Sequence, residues 1–242
     1  MTLYISVSPD AAVLAERSVD VLEVLGGKAI EQYGRFLLSL AGGSTPRAVY
    51  ALWAERTRLD WSKVVLIFGD ERCVPPEHEQ SNYHMVAGSL LAGLPQQPQL
   101  LRMEGEAADP VQAARNYDYA LRELLGPGGF LHVALLGIGA DGHTASLFPG
   151  QPAVREGTAW CVATESPDAQ MRRITLTVPC LRNTRKLMFL AAGPEKAGIV
   201  HDVLEGPLDP ESRPSQFFLR DERLNVNLLL DESAATQLAK RE

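Results

Sequence analysis

Cysteine is scarce: Cys73, Cys161 and Cys180 are the only three among 242 residues, an odd number with no C-x-x-C pair. That excludes a disulfide framework and makes the cytoplasm the expected location. Long apolar runs are missing too. None approaches the roughly 18 residues needed to cross a bilayer, so no membrane partner is expected. The opening Met1-Thr2-Leu3-Tyr4-Ile5-Ser6-Val7 has no basic segment and no small-residue cleavage site, and it reads as a first strand instead of a leader. Positive charge is in deficit, with 23 Lys and Arg against 30 Asp and Glu and a formal net charge of -7. Broad nucleic-acid binding wants the opposite balance and is excluded. Several catalytic signatures are absent. There is no G-x-S-x-G elbow of a serine hydrolase and no G-x-x-x-x-G-K-[ST] phosphate loop. None of the five histidines has H-E-x-x-H or a similar ligand spacing, so no metal is expected.

What is present is an ordinary globular mixture, 45% hydrophobic and 22% charged, which excludes disorder. Apolar runs at 3–7, 35–41, 64–68, 131–138, 160–164, 174–177, 187–191 and 226–230 predict strands. Helical stretches alternate with them. One opens at Ser8-Pro9-Asp10, and another at Thr45, an N-cap followed by Pro46. Others follow Ser81-Asn82 and Asp109-Pro110, or span 195–204 and 231–240. The alternation predicts an α/β protein with a mainly parallel sheet. The Pro/Gly clusters at 94–98 and 126–129 are loops, too short for linkers, so residues 1–242 are expected to form one domain.

In an open α/β sheet, ligands sit beyond the carboxyl ends of the strands. Four polar turns fall there: Gly42-Gly43-Ser44-Thr45, Gly69-Asp70-Glu71-Arg72, Gly193-Pro194-Glu195-Lys196, and the segment G-I-G-A-D-G-H-T-A-S-L-F-P at 137–149. The last matches G-x-G-x-x-G of dinucleotide-binding proteins. That motif needs a helix starting at the third glycine, and Pro149, Gly150 and Pro152 leave room for less than two turns. No dinucleotide or other cofactor is expected. Asp141 and His143 could form an ordinary surface turn. At a strand end they could also act together, His143 as general base near neutral pH and Asp141 orienting it.

Gly42-Gly43-Ser44-Thr45 offers consecutive N–H groups, two hydroxyls and a helix N-terminus, which together suit a phosphate monoester. Arg72 and Lys196 are the best-placed cations. The helix dipole disfavours a cation in a first helical turn, and that placement suggests that Lys196 meets an anion.

Taken together, L-A-G-G-S-T-P at 40–46, F-G-D-E-R-C-V-P at 68–75, S-N-Y at 81–83, L-G-I-G-A-D-G-H-T-A-S-L-F-P-G at 136–150, R-R-I-T-L-T at 172–177 and G-P-E-K-A at 193–197 resemble the 6-phosphogluconolactonases. The resemblance covers nearly the whole chain. It implies a Rossmann-like three-layer sandwich of the sugar-phosphate isomerase, deaminase and CoA-transferase kind. It also implies hydrolysis of 6-phospho-D-glucono-1,5-lactone to 6-phospho-D-gluconate in the oxidative pentose phosphate pathway. His143 would be the base and Asp141 its partner. Gly42, Gly43, Ser44 and Thr45 would cradle the phosphate, with Arg72, Lys196 and Arg173 (or its neighbour Arg172) as cations and Asp70 near the sugar. A small phosphorylated sugar is the expected partner, with the chain a monomer or weak homodimer. Two alternatives stand beside this reading: a glucosamine-6-phosphate deaminase or isomerase, and a sugar-phosphate-binding module without chemistry. Deaminases look like D-E-Y at 70–72 and carry an acid where this chain has Phe148.

Overall fold

Two pentapeptides, FLLSL at 36–40 and VVLIF at 64–68, bury every side chain. Strands apolar on both faces belong in a parallel sheet with helices on each side. Each fully buried Leu, Ile, Val or Phe there contributes roughly 1.5–3 kcal/mol.

The computed structural model describes residues 3–167 and 171–239. The chain begins with β1 (Leu3–Ser8), α1 (Ala11–Tyr33), β2 (Phe36–Leu40), α2 (Ser44–Arg56), β3 (Val64–Phe68) and β4 (Asp70–Arg72). It continues through α3 (Asn82–Ser89), β5 (Gln99–Leu101), α4 (Pro110–Leu125), β6 (Leu131–Gly137), β7 (Cys161–Glu165) and β8 (Arg172–Leu176). Then come α5 (Val178–Arg182), β9 (Thr184–Ala191), α6 (Ala197–Leu204), α7 (Gln216–Leu219), β10 (Val226–Asp231) and α8 (Glu232–Ala235). Seven strands form a parallel sheet in the order β1-β10-β9-β6-β2-β3-β5. With its helices this is the three-layer α/β arrangement. From β2 the order grows outward through β3, and from β6 it grows the other way through β9, so it reverses between these two strands. That reversal opens a crevice at their carboxyl ends.

Two helices pin the strand ends that feed the crevice. Tyr50 of α2 accepts a hydrogen bond from Ala41 N and donates one to Ala41 O, both at 2.9 Å. Tyr117 of α4 accepts from Phe68 N at 2.9 Å and sits 3.1 Å from Phe68 O. Both tyrosines are buried, so these bonds satisfy backbone groups that water does not reach.

Several details differ from the sequence expectation. The N-cap of α2 is Gly43, and Ser44 and Thr45 are already helical. Asp70-Glu71-Arg72 is a short strand instead of a loop. It pairs with β8, which pairs with β7, in a separate antiparallel sheet. The runs expected at 160–164 and 174–177 therefore lie outside the parallel sheet. In the expected helix 195–204, Pro194–Lys196 is a 3-10 turn and the α-helix starts at Ala197. Of the helix expected at 231–240, only Glu232–Ala235 is α-helical, and residue 240 lies outside the described residues. No helix begins at Gly142: residues 138–151 are turns and an isolated bridge between Thr144 and Leu147. The dinucleotide reading therefore lacks its helix.

Candidate active site

Six stretches of the chain converge on a cavity of about 320 Å³ at the carboxyl ends of β2, β6 and β9. Its lining includes Gly42, Gly43, Ser44, Thr45, Asp70, Arg72, His143, Arg173 and Lys196. Asp141, the remaining predicted residue, stands behind His143 and does not line it. Arg172 is exposed and faces a different depression, so Arg173 is the arginine of that pair at the cavity.

After β6 the chain turns sharply. His143 Nδ1 lies 2.5 Å from Asp141 Oδ1, which also accepts from His143 N at 3.0 Å. Burial works to raise the Asp141 carboxyl, but the side-chain and backbone bonds from His143 outweigh it and hold the group below its usual value. A carboxylate oxygen only accepts, so the ring proton sits on Nδ1 and Nε2 keeps its lone pair. The ring packs on Phe148, with centroids 4.7 Å apart, and lies against Gly139. Gly139 N donates to His143 O at 2.8 Å and closes the turn. Ala145, at φ 50, is the one non-glycine in the left-handed region among the described residues. Strain of this kind often marks a loop held for function.

Asp70 is buried and fully engaged. Ser146 Oγ donates to its Oδ2 at 2.6 Å, Asn82 Nδ2 approaches Oδ1 at 3.2 Å, and Arg173 Nη1 lies 3.8 Å from Oδ2. The carboxylate thereby ties the β6 loop to β4. Asn82 is seated by Glu71, whose carboxylate accepts from Asn82 N, Tyr83 N, Arg72 N and Ser81 Oγ at 2.7–3.0 Å. Burial pushes the Glu71 carboxyl up against the pull of those four bonds. Gly42 leaves space for the Asn82 amide, since a Cβ there would meet Asn82 Oδ1 at 2.1 Å.

At the opposite wall, the N–H groups of Ser44 and Thr45 are in the first turn of α2, where no intrahelical acceptor exists. Arg72 donates through Nη1 to Gln80 O at 2.6 Å, and its buried Nε has no partner among the described residues. Lys196 Nζ reaches back to Ile138 O at 2.8 Å. Its loop is held by Asp231, whose carboxylate accepts from Gly193 N at 3.0 and 3.1 Å. Three cations thus converge on a cavity in a protein of net charge -7. Glu71, Asn82, Ser146 and Asp231 were not among the predicted site residues. Asn82 and Glu71 stand inside motifs already noted, but their part depends on contacts distant in sequence. Nor was Ser215, whose N donates to Gly142 O at 2.9 Å and whose Oγ lies 3.3 Å from His143 O.

Fold and cavity together define an α/β protein with an anion-gripping crevice where its parallel strand order reverses. The chain belongs to the family described as Glucosamine-6-phosphate isomerases/6-phosphogluconolactonase, whose profile matches residues 9–226. A 6-phosphogluconolactonase of Mycobacterium tuberculosis is 35% identical over 98% of this chain and 99% of its own length. The solved structure of a 6-phosphogluconolactonase from Trypanosoma cruzi is 27% identical, with a TM-score of 0.86 over 99% of this chain and 98% of that one. A monomeric glucosamine-6-phosphate deaminase of solved structure is 19% identical, with a TM-score of 0.82 over 97% and 100% of the two chains. That likeness shows a shared fold alone. Among the described residues, no helix is long and apolar enough to cross a membrane.

Proposed function

We propose that the chain, acting as one domain, is a 6-phosphogluconolactonase that opens 6-phospho-D-glucono-1,5-lactone to 6-phospho-D-gluconate. The carrying observation is the His143 environment. One carboxylate, Asp141, orients the imidazole, and the buried ring of Phe148 stands where a deaminase presents an acid. Amine elimination needs more acid–base groups than this, whereas lactone opening needs only a base, a water and a positioned carbonyl.

His143 Nε2 takes a proton from water as the water oxygen bonds to lactone C1. The Nδ1 proton, held by Asp141, steadies the resulting imidazolium. When the bond from C1 to the ring oxygen breaks, Nε2 returns the proton to that oxygen and the acyclic acid is released. General-base assistance of this kind is worth roughly 10²–10⁴-fold. The phosphate rests on the N–H groups of Gly43, Ser44 and Thr45, with Arg72 and Lys196 as charged donors and Arg173 as a third cation. Short charge-assisted bonds there anchor C1 near His143, so phosphate binding promotes turnover as well as affinity. Asp70 acts through structure, holding Asn82, which lines the cavity, and Ser146 of the loop after β6.

The test offers freshly prepared lactone and glucosamine 6-phosphate to the purified chain. Acid release above the uncatalysed rate, without ammonia from the amino sugar, is the expected result. Ammonia release would establish the deaminase instead, and binding of 6-phosphogluconate without catalysed opening would establish a sensor.

A further inference from the structure

At the far end of the sheet, where β6, β9 and β10 begin, a second cavity of about 440 Å³ opens beside the last turns of α1. Five cations line it (Lys28, Arg182, Arg185, Lys186 and Arg223), and no Asp or Glu does. In a chain with more acids than bases, that segregation runs against composition. Asp221 neutralises part of it, at 3.3 Å from Arg182 and 2.7 Å from Arg223. Among the described residues, no carboxylate pairs with Lys28, Arg185 or Lys186. Lys186 Nζ meets only amide oxygens, those of Asn225 and, at 3.3 Å, Asn227. A half-buried ammonium without a counter-charge is costly, and an incoming anion relieves it.

The cavity also carries donors and flat surfaces. His132 is buried, and its Nδ1 accepts from Leu37 N at 2.8 Å, which puts the ring proton on Nε2. No acceptor among the described residues meets that proton. Thr184 Oγ1, at the same wall, is buried and has no partner among the described residues. Tyr33 stacks on His132 with centroids 4.9 Å apart and remains 40% exposed. Arg185 lies 4.1 Å over the Phe130 ring, so its guanidinium is already oriented.

We propose that this cavity binds a nucleoside diphosphate. Three uncompensated cations match the roughly three negative charges of a diphosphate group, for which one sugar monophosphate would be too few. Arginine and lysine suit the paired phosphates as fork and point donors respectively. Tyr33 supplies an aromatic face for the base, and the volume lies in the range of roughly 300–1,000 Å³ that small-molecule sites occupy. The site is at the opposite end of the sheet from His143, so it is distinct from the lactone cavity and does not depend on how that cavity is read.

Isothermal titration of the full chain with ADP, at low salt and with and without saturating 6-phosphogluconate, tests this. One ADP per chain should bind under both conditions. The Arg185→Gln/Lys186→Gln pair should weaken binding at least about tenfold, and the exposed Lys28→Gln should weaken it measurably, with lactone turnover unchanged in both. Pyrophosphate should bind more weakly than ADP and compete with it, while adenosine alone should bind more weakly still. Absence of ADP binding by the unaltered chain would overturn the proposal. So would binding that 6-phosphogluconate abolishes, or that both variants retain. Pyrophosphate binding as tightly as ADP would remove the nucleoside from the assignment.

Discussion

A Cβ placed on Gly139 would lie 2.1 Å from both Nδ1 and Cε1 of His143. The imidazole therefore occupies the space that a side chain at this position would take. Gly139→Ala should push the ring off Asp141 and away from the lactone carbonyl. A displacement near 1 Å can cost about 10²-fold in rate, so kcat should fall by about that factor with KM little altered. Steady-state kinetics on fresh lactone would check it, and an unchanged kcat would show that the ring position is not critical.

Arg72 and Lys196 should read phosphate. Arg72→Ala and Lys196→Ala are each expected to lower kcat/KM on the phosphorylated lactone at least about tenfold, the loss of one charge-assisted bond. Unphosphorylated gluconolactone should be turned over as before. Equal losses on the two substrates would place these side chains elsewhere in the mechanism.

Tyr50→Phe removes the hydroxyl that satisfies both backbone groups of Ala41. Leaving buried groups unpaired costs about 1–3 kcal/mol. Urea unfolding should show that loss with an unchanged m-value, and a difference within error would mean that Ala41 finds another partner.

His132 predicts a pH dependence of stability. Burial, helped by the charges of Arg35 and Arg185, lowers its pKa to about 4, against roughly 6.5 in the unfolded chain. The unfolded state therefore takes up a proton first. Its stabilising contribution is complete above about pH 6.5, declines as pH falls, and is gone near pH 4. The whole is worth roughly 3 kcal/mol. His132→Asn, whose carbonyl can still accept from Leu37 N, should flatten the stability profile in that window. An identical slope in the variant would assign it to other groups.

The parallel sheet was legible because burial on both faces leaves unbroken apolar runs such as 36–40 and 64–68. β4 and β5 were not, since three residues are too few for a period and Asp70-Glu71-Arg72 is polar throughout. β7 and β8 carry apolar runs of strand length, and nothing local distinguishes an antiparallel partner from a parallel one. At the site, Asp141, His143 and the Gly42–Thr45 turn are adjacent in sequence and could be found from spacing. Ser146, Asn82 and Asp231 act across long separations: Ser146 reaches Asp70, and Asp231 holds Gly193. Such pairings arise only when the strands assemble. Asp221 mixes the two cases: its near neighbour Arg223 bonds the carboxylate, Arg182 approaches from a distant part of the chain, and together they hold the carboxyl at about 2.

The most direct measurement is kcat of His143→Ala on freshly made 6-phosphogluconolactone, with spontaneous hydrolysis subtracted and folding verified by circular dichroism. The base role predicts a fall of about 10²–10⁴-fold with substrate affinity largely kept. A folded variant that turns over lactone at close to the unaltered rate would contradict it.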